Sequence, residues 1–300
     1  YNTFVKNYDG NNIYRIACGA NGDDYHWTET LMQDVGRRMN GISLHYYTLP
    51  SGNWTKKGSA TQFGESEWFA TLSRAEEMEN LIQRHSAIMD KTDPQKRIGL
   101  MVDEWGAWYD VEPGTNPGFL YQQNSLRDAL VAAITLNIFN EHCDRVKMAN
   151  IAQMINVLQS MILTDKEKMI VTPTYYVYEM FVPHHDAKLL PSELQCADYV
   201  LNGQKIPGLS ASSSVDSTGA VHVTLCNLNP TAPASVHCQL DGASPKTVSG
   251  QVLTASDMTA HNTFENPNAV KLESFTAVQL VNGGFSATLP PKSVVAIELK

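Results

Sequence analysis

The 300 residues carry 22 Lys+Arg against 31 Asp+Glu, a formal net charge of −9. An acidic chain argues against a nucleic-acid partner, whose phosphates call for a basic face, and no uncharged apolar run reaches the roughly 18 residues that mark a membrane span. With 43% apolar and 18% charged residues the composition is that of a globular protein with a sizeable core, and the length suggests about two domains.

In chain order, Ile13–Ala20 reads as a strand and Gly41–Tyr47 as a second. A helix follows, with apolar residues at Trp68, Leu72, Ala75, Met78, Ile82 and Met89 on one stripe, closed by Asp93-Pro94. Arg97–Trp105 is a third strand, whose unbroken apolar run is typical of burial on both faces. Leu120–Phe139 is a second long helix, Arg145–Ala152 a fourth strand, and Thr172-Pro173 the N-cap and first position of a helix through Met180. Alternating strands and helices point to a parallel α/β sheet.

After about Pro191 the pattern changes. Short alternating segments at Leu209–Val215, Val221–Asn227, Val236–Leu240, Gln251–Leu253 and Val294–Leu299, separated by turn residues, suggest an antiparallel β-sandwich. All five Trp and eleven of the twelve Tyr lie before residue 186. The expected organisation is therefore an α/β domain over 1–187 and a β-sandwich over 188–300.

The five cysteines are odd in number and widely spaced, which speaks against a disulfide scaffold or zinc ribbon and favours the cytoplasm over secretion. Asn53-Trp54-Thr55 is a glycosylation sequon only if the protein is secreted. Dinucleotide-binding, P-loop, nucleophile-elbow and zincin motifs are absent. His184-His185-Asp186 could be read as metal ligands, but adjacent histidines rarely converge on one ion. No metal and no cofactor are expected.

The sharpest chemical signal is Asp103-Glu104-Trp105 at the end of the third strand. In a parallel barrel, catalytic groups project from the C-terminal strand ends, and the period of two puts the two carboxylates on opposite sides, one facing the mouth and one supporting it. Trp105, Trp108 and Tyr109 follow, and a ring beside a carboxylate suits a sugar. His45 and Tyr47 share a face at the end of the second strand, and Gln153 lies near the end of the fourth. Asp23-Asp24 follows the first strand and is expected to line the same mouth. Taken singly, each has a plain structural reading: a solvated acidic loop, a hydrogen-bonding histidine, a loop glutamine. Their common position at successive strand ends is what raises them.

Across GANGDDYHWTETLM (19–32), GISLHYYTLPSGNWTKKGSAT (41–61), RIGLMVDEWGAWYDVEPGTNPGFLYQQN (97–124), CDRVKMANIAQMINVLQ (143–159) and LPPKSVVAIEL (289–299), the chain resembles the α-L-arabinofuranosidases of glycoside hydrolase family 51. The resemblance implies a (β/α)₈ barrel joined to a β-sandwich, and retaining release of terminal α-L-arabinofuranosyl groups from arabinan- or arabinoxylan-type chains. It implies Glu104 as nucleophile, His45 and Tyr47 around it, Gln153 on the bound arabinose and Trp108 near the site. It also implies that the intact enzyme is a homo-oligomer. The family's acid/base glutamate lies in a Gly-Asn-Glu motif that occurs nowhere in these residues. The chain also opens at Tyr1 rather than Met. The expectation is a C-terminal portion with barrel strands five to eight and the sandwich, inactive alone, its open half-barrel leaving a groove and two unpaired edges. Two other function classes fit the residues: a different retaining barrel glycosidase, of xylosidase or endoglucanase type, and a non-catalytic carbohydrate-binding module.

Overall fold

The computed structural model describes residues 4–300. Four strands, β1 (Ile16–Asn21), β2 (Gly41–Thr48), β3 (Gly99–Ala107) and β4 (Val146–Ile151), pair in parallel and in chain order. Helices α1 (Tyr25–Val35), α2 (Glu65–Asp90) and α3 (Leu126–Glu141) form the connections between them, and α4 (Pro173–Phe181) follows a hairpin of β5 (Ile162–Asp165) and β6 (Lys168–Val171). Among the described residues β1 and β4 each have one strand neighbour, so the sheet is an open segment of a barrel.

The helices form for local reasons. All six apolar residues of the stripe expected from Trp68 to Met89 are buried. Helix α1, which the pattern of apolar residues does not announce, is started by Asp24, whose Oδ1 accepts the Trp27 N–H at 3.0 Å. This gives Asp24 a capping role. Helix α3 begins six residues later than Leu120. Pro117–Phe119 forms a 3₁₀ turn, Leu120 is left-handed (φ 53°), and Ser125 with Asp128 makes a capping box. Thr172 is the N-cap of α4, but its hydroxyl donates to Ser160 O at 2.9 Å instead of to the helix.

The antiparallel part comprises β7 (Lys188–Leu189), β8 (Asp198–Leu201), β9 (Gln204–Pro207), β10 (Leu209–Val215), β11 (Val221–Asn227), β12 (Ala234–Gln239), β13 (Val248–Leu253), β14 (Glu273–Ser274), β15 (Val278–Val281), β16 (Gly284–Leu289) and β17 (Ser293–Leu299). Six of these form a sheet in the order β14-β13-β17-β11-β10-β7, faced by a three-stranded sheet, β12-β16-β15. Alternation divides the larger sheet's side chains. Val221, Val223 and Leu225 of β11 and Val295, Ile297 and Leu299 of β17 join the core between the two sheets. Cys226 and Val294 point the other way and join the core around α2, α3 and α4. Helix α3 is buried almost all round, as a helix apolar on every side must be. It also contacts β10, β11 and β17. Asn137 on α3 donates to Ser210 Oγ at 3.1 Å and accepts from Ser212 Oγ at 2.8 Å and Thr224 Oγ1 at 2.7 Å. Trp68 Nε1 of α2 donates to Leu228 O at 2.9 Å.

Beside this polar seam lies Glu76, with one carboxylate oxygen buried and without a hydrogen-bond partner. Burial, reinforced by the charge of Glu79, pushes its carboxyl up to about 7. Between its ordinary value near 4.5 and about 7 the folded chain holds this proton and the unfolded chain releases it. Stability therefore falls as pH rises through that window, and the penalty is complete above it. Glu76→Gln is expected to raise unfolding free energy at pH 8 by on the order of 2–3 kcal/mol and to change nothing at pH 4. Urea unfolding at the two pH values measures it; an equal effect at both would count against the ionisation argument.

Candidate active site

Parallel pairing of β2 and β3 sets His45 beside Glu104 and Tyr47 beside Gly106. The Tyr47 hydroxyl donates to Glu104 Oε1. His45 Nδ1 stands 3.2 Å from Glu104 Oε2, and its Nε2 stands 3.2 Å from Asp103 Oδ1. The two carboxylates are thus not on opposite sides, as strict alternation along the strand predicts: both reach the same imidazole. The reason is a pair of register shifts, between Ser43 and His45 on β2 and between Val102 and Trp105 on β3, which break the period of two where the site is built. Asp103 Oδ1 is buried and, despite its closeness to His45, has no aligned hydrogen-bond donor.

Burial pushes the Tyr47 hydroxyl far above the usual tyrosine range, and its bond to Glu104 and the charge of that carboxylate act in the same direction. Tyr47 is therefore a permanent donor, able to stabilise negative charge on Glu104 Oε1. Its ring meets Trp108 edge-on at 4.7 Å, and Trp108 meets Trp54 edge-on at 5.3 Å. Trp54 is half exposed, and Lys57 Nζ lies 5.6 Å over the Trp108 ring. Beneath them Tyr47, Leu49, Ala152 and Leu158 form an apolar floor. The Glu104 side chain is 41% exposed, so a ligand can reach it.

Two residues that hold this arrangement carry no signal in the sequence. Buried Gln159 accepts the Ala107 N–H at 2.7 Å and donates to Asp128 O at 2.7 Å. Buried Gln122 accepts the Tyr109 N–H at 2.8 Å and donates to Ala107 O at 3.1 Å. Together they fix the chain that leaves Glu104. Gly106 has φ +145°, and a Cβ there would lie 3.3 Å from Gln159 Oε1, so glycine suits this bend. A glutamine amide is common in loops, and only the fold brings these two to one backbone segment.

His45, Tyr47, Glu104 and Trp108 come together. Gln153 follows Ala152, whose N–H donates to Trp105 O at 2.8 Å. Gln153 is exposed, and among the described residues its amide side chain has no hydrogen-bond partner. His184 is elsewhere: its ring bonds Ser214 Oγ at 2.8 Å and Thr224 Oγ1 at 3.2 Å, and burial pushes its pKa down to about 4. Among the described residues no group of three or more His, Cys, Asp or Glu is placed to hold a metal ion. A cleft of about 800 Å³ lies between α2 and the β8–β9 hairpin, lined by Tyr46, Arg74, Arg84 and Lys205 among others. Tyr46 points from β2 toward α2, its hydroxyl donating to Arg74 O at 2.7 Å. That cleft is therefore on the face opposite His45 and Tyr47. What the strand ends assemble is a reachable carboxylate with a hydroxyl donor on one oxygen and an imidazole beside the other, next to the half-exposed ring of Trp54 and the partly buried ring of Trp108.

A sequence model described as the α-L-arabinofuranosidase C-terminal domain matches residues 103–293. The chain is 46% identical to an intracellular exo-α-L-arabinofuranosidase of Bacteroides ovatus, over 100% of its own length and 58% of that protein. Its structure is similar to the crystal structure of a family 51 arabinofuranosidase from Xanthomonas axonopodis pv. citri (TM-score 0.98, 47% identity), covering 100% of this chain and 60% of that one. It is also similar to the arabinose complex of the Thermotoga maritima α-L-arabinofuranosidase (TM-score 0.77, 25% identity), covering 95% and 57%. The chain thus spans about three-fifths of the length of these relatives.

Proposed function

The chain belongs to the α-L-arabinofuranosidases of glycoside hydrolase family 51, and from this we propose that it carries the nucleophile, Glu104, of a retaining enzyme. That enzyme releases terminal α-L-arabinofuranosyl groups from arabinan- or arabinoxylan-type oligo- and polysaccharides. The observation that carries the reading is the Glu104 carboxylate at the end of β3, with Tyr47 bonded to one oxygen and His45 beside the other.

In this mechanism Glu104 attacks the anomeric carbon while the glycosidic C–O bond breaks, and a glycosyl ester forms on the carboxylate. A second carboxyl group protonates the leaving oxygen. It then takes a proton from the water that cleaves the ester. Such pairs stand about 5–5.5 Å apart. The hydrogen bond from Tyr47 holds Glu104 Oε1 and so orients the carboxylate for attack. Trp108 and Trp54 offer faces to a sugar ring, and Gln153 has a free amide for its hydroxyls.

The reading places the second carboxyl outside these 300 residues, because Gly-Asn-Glu occurs nowhere in them. The intact enzyme is proposed to be a homo-oligomer located, like its B. ovatus relative by name, inside the cell. A general acid contributes about 10²–10⁴-fold. The 300-residue chain alone is therefore expected to hydrolyse an aryl α-L-arabinofuranoside slower by at least roughly that factor than the enzyme containing it. Equal rates would mean that the chain supplies its own acid.

A further inference from the structure

Residues 49–64 connect β2 to α2 without helix or strand, a length at which a loop of a packed domain usually carries function. The loop bears Trp54, edge-on to Trp108 and, at 6.5 Å, to Tyr47, and Lys57, whose Nζ lies over the same Trp108 ring. Its tip is shaped from within: the Gly52 N–H donates to Leu49 O at 3.0 Å, and Asn53 Oδ1 accepts the Thr55 N–H at 2.9 Å and the Thr55 hydroxyl at 2.8 Å. These bonds fix the turn but not its place over the site. Its place depends on the segment that leaves Glu104. There the Trp108 N–H donates to Thr48 O at 3.1 Å and the Asp110 N–H to Gly58 O at 2.9 Å. The Asp110 carboxylate reaches back to the same spot: Oδ1 accepts the Lys57 N–H at 3.2 Å and Oδ2 the Gly58 N–H at 3.0 Å. Asp110 is exposed, and among the described residues its carboxylate accepts no other hydrogen bond.

We propose that Asp110 is a positioning residue for the arabinofuranosidase reaction: its carboxylate pins the base of the 49–58 loop and so keeps Trp54 and Lys57 against Trp108 at the mouth of the site. The proposal rests on the arabinofuranosidase reading. A charged acceptor makes stronger hydrogen bonds than a neutral one, and this one holds two adjacent residues at once. Without it the tip keeps its turn, but the base is tied only by the Asp110 N–H bond to Gly58 O. A ligand that uses the Trp54 ring must then gather the loop back. The apparent affinity falls in proportion to the time the loop spends in place. The chemical step is untouched, because Glu104 is held by Tyr47 and flanked by His45, and neither belongs to this loop.

In the enzyme that contains this chain, Asp110→Ala is expected to lower kcat/KM for an aryl α-L-arabinofuranoside about tenfold through KM, with kcat within about twofold of the parent. Asp110→Asn keeps an oxygen for one of the two N–H groups and recovers part of the loss. With Trp54→Ala and Lys57→Ala already in place, Asp110→Ala adds less than about twofold, since the side chains it positions are gone. Hydrogen exchange reads the clamp without turnover: the Lys57 and Gly58 amides are expected to exchange at least about tenfold faster in Asp110→Ala. The melting transition of the variant, which loses only an exposed side chain, matches the parent. An unchanged KM, a fall in kcat equal to the fall in kcat/KM, or a full loss that persists without Trp54 and Lys57 would overturn the role of Asp110 and leave the arabinofuranosidase reading standing. A parent enzyme without activity on the arabinofuranoside would overturn both, and faster exchange in Asp110→Ala would then assign the clamp to the fold alone.

Discussion

Glu104→Ala, made in the enzyme that contains this chain, is expected to lower turnover of an aryl α-L-arabinofuranoside by more than roughly 10⁴-fold, the upper end of what one general acid contributes, because the covalent route itself is lost. Added azide restores part of the rate and gives an arabinosyl azide of inverted configuration. The small anion enters the space left by the carboxylate and attacks the anomeric carbon from the nucleophile's side, and no second displacement follows. Were Glu104 the acid/base instead, azide would intercept the glycosyl-enzyme and the product would keep its configuration. The anomeric proton coupling of the azide product therefore decides the residue's role, whatever the size of the rate loss. Glu104 is well exposed, so its removal leaves no buried unpaired charge, and an inactive variant is expected to melt with the parent. Turnover within tenfold of the parent, or a retained azide, would defeat the assignment.

The largest expected loss of stability lies at the other end of the parallel strands. Arg145, just before β4, is fully buried. Its Nη1 donates to Asp93 Oδ2 at 2.9 Å and to Ile98 O at 2.8 Å, its Nη2 donates to Asp93 O at 3.0 Å, and Nη2 also pairs with Asp90. Asp93 is 3% exposed and accepts the Ile98 N–H at 2.8 Å. Burial by itself raises the Asp93 carboxyl, but the Ile98 N–H and the Arg145 guanidinium outweigh it and hold the group below the usual aspartate range. A carboxyl lowered in this way contributes stability that is complete above its unfolded value and is lost as pH falls through its folded value. Asp93→Ala leaves the buried guanidinium with only the partly exposed Asp90 as counter-charge, and breaking such a pair from one side costs about 3–5 kcal/mol. Urea unfolding at pH 7 is expected to show that loss, shrinking as the pH is lowered toward the acid limb of the parent. A loss below about 1 kcal/mol would place the pair in the class of weak, solvent-screened contacts.

Much of the architecture was legible because burial writes itself into sequence period. The run before Asp103 and the stripe from Trp68 to Met89 have no other economical reading, and the fold class follows from them and from the alternation after Pro191. What escaped was local. Helix α1 carries a mixed face, and its start depends on the Asp24 side chain. The segment from Leu120 continues the apolar pattern of α3, yet the Pro117–Phe119 turn and the left-handed Leu120 delay the helix to Ser125, whose spacing to Asp128 was the available clue. At the site, strand-end position alone brought out His45, Tyr47 and Glu104. The shared imidazole could not be foreseen, because it depends on two register shifts, and a shift leaves no mark in composition. Gln122 and Gln159 escaped for a related reason: their bonds join segments 13 to 52 residues apart.

The six-stranded sheet is covered on one side by its partner sheet and on the other by α3, and that double cover removes any seam along which the molecule could be divided. Asn137 alone ties one helix to three residues of two strands. Grafting the antiparallel part of a relative onto this chain at the expected junction would leave those bonds, and the Trp68 bond to Leu228, without matching ends. A chimera that keeps its fold has to carry the facing side chains of α2 and α3 along with the sheet. The helix that closes against this sheet is also the one whose first turn, through Asp128, anchors the Gln159 beneath the segment leaving Glu104. The antiparallel part thereby backs, through α3, the strand end that carries Glu104.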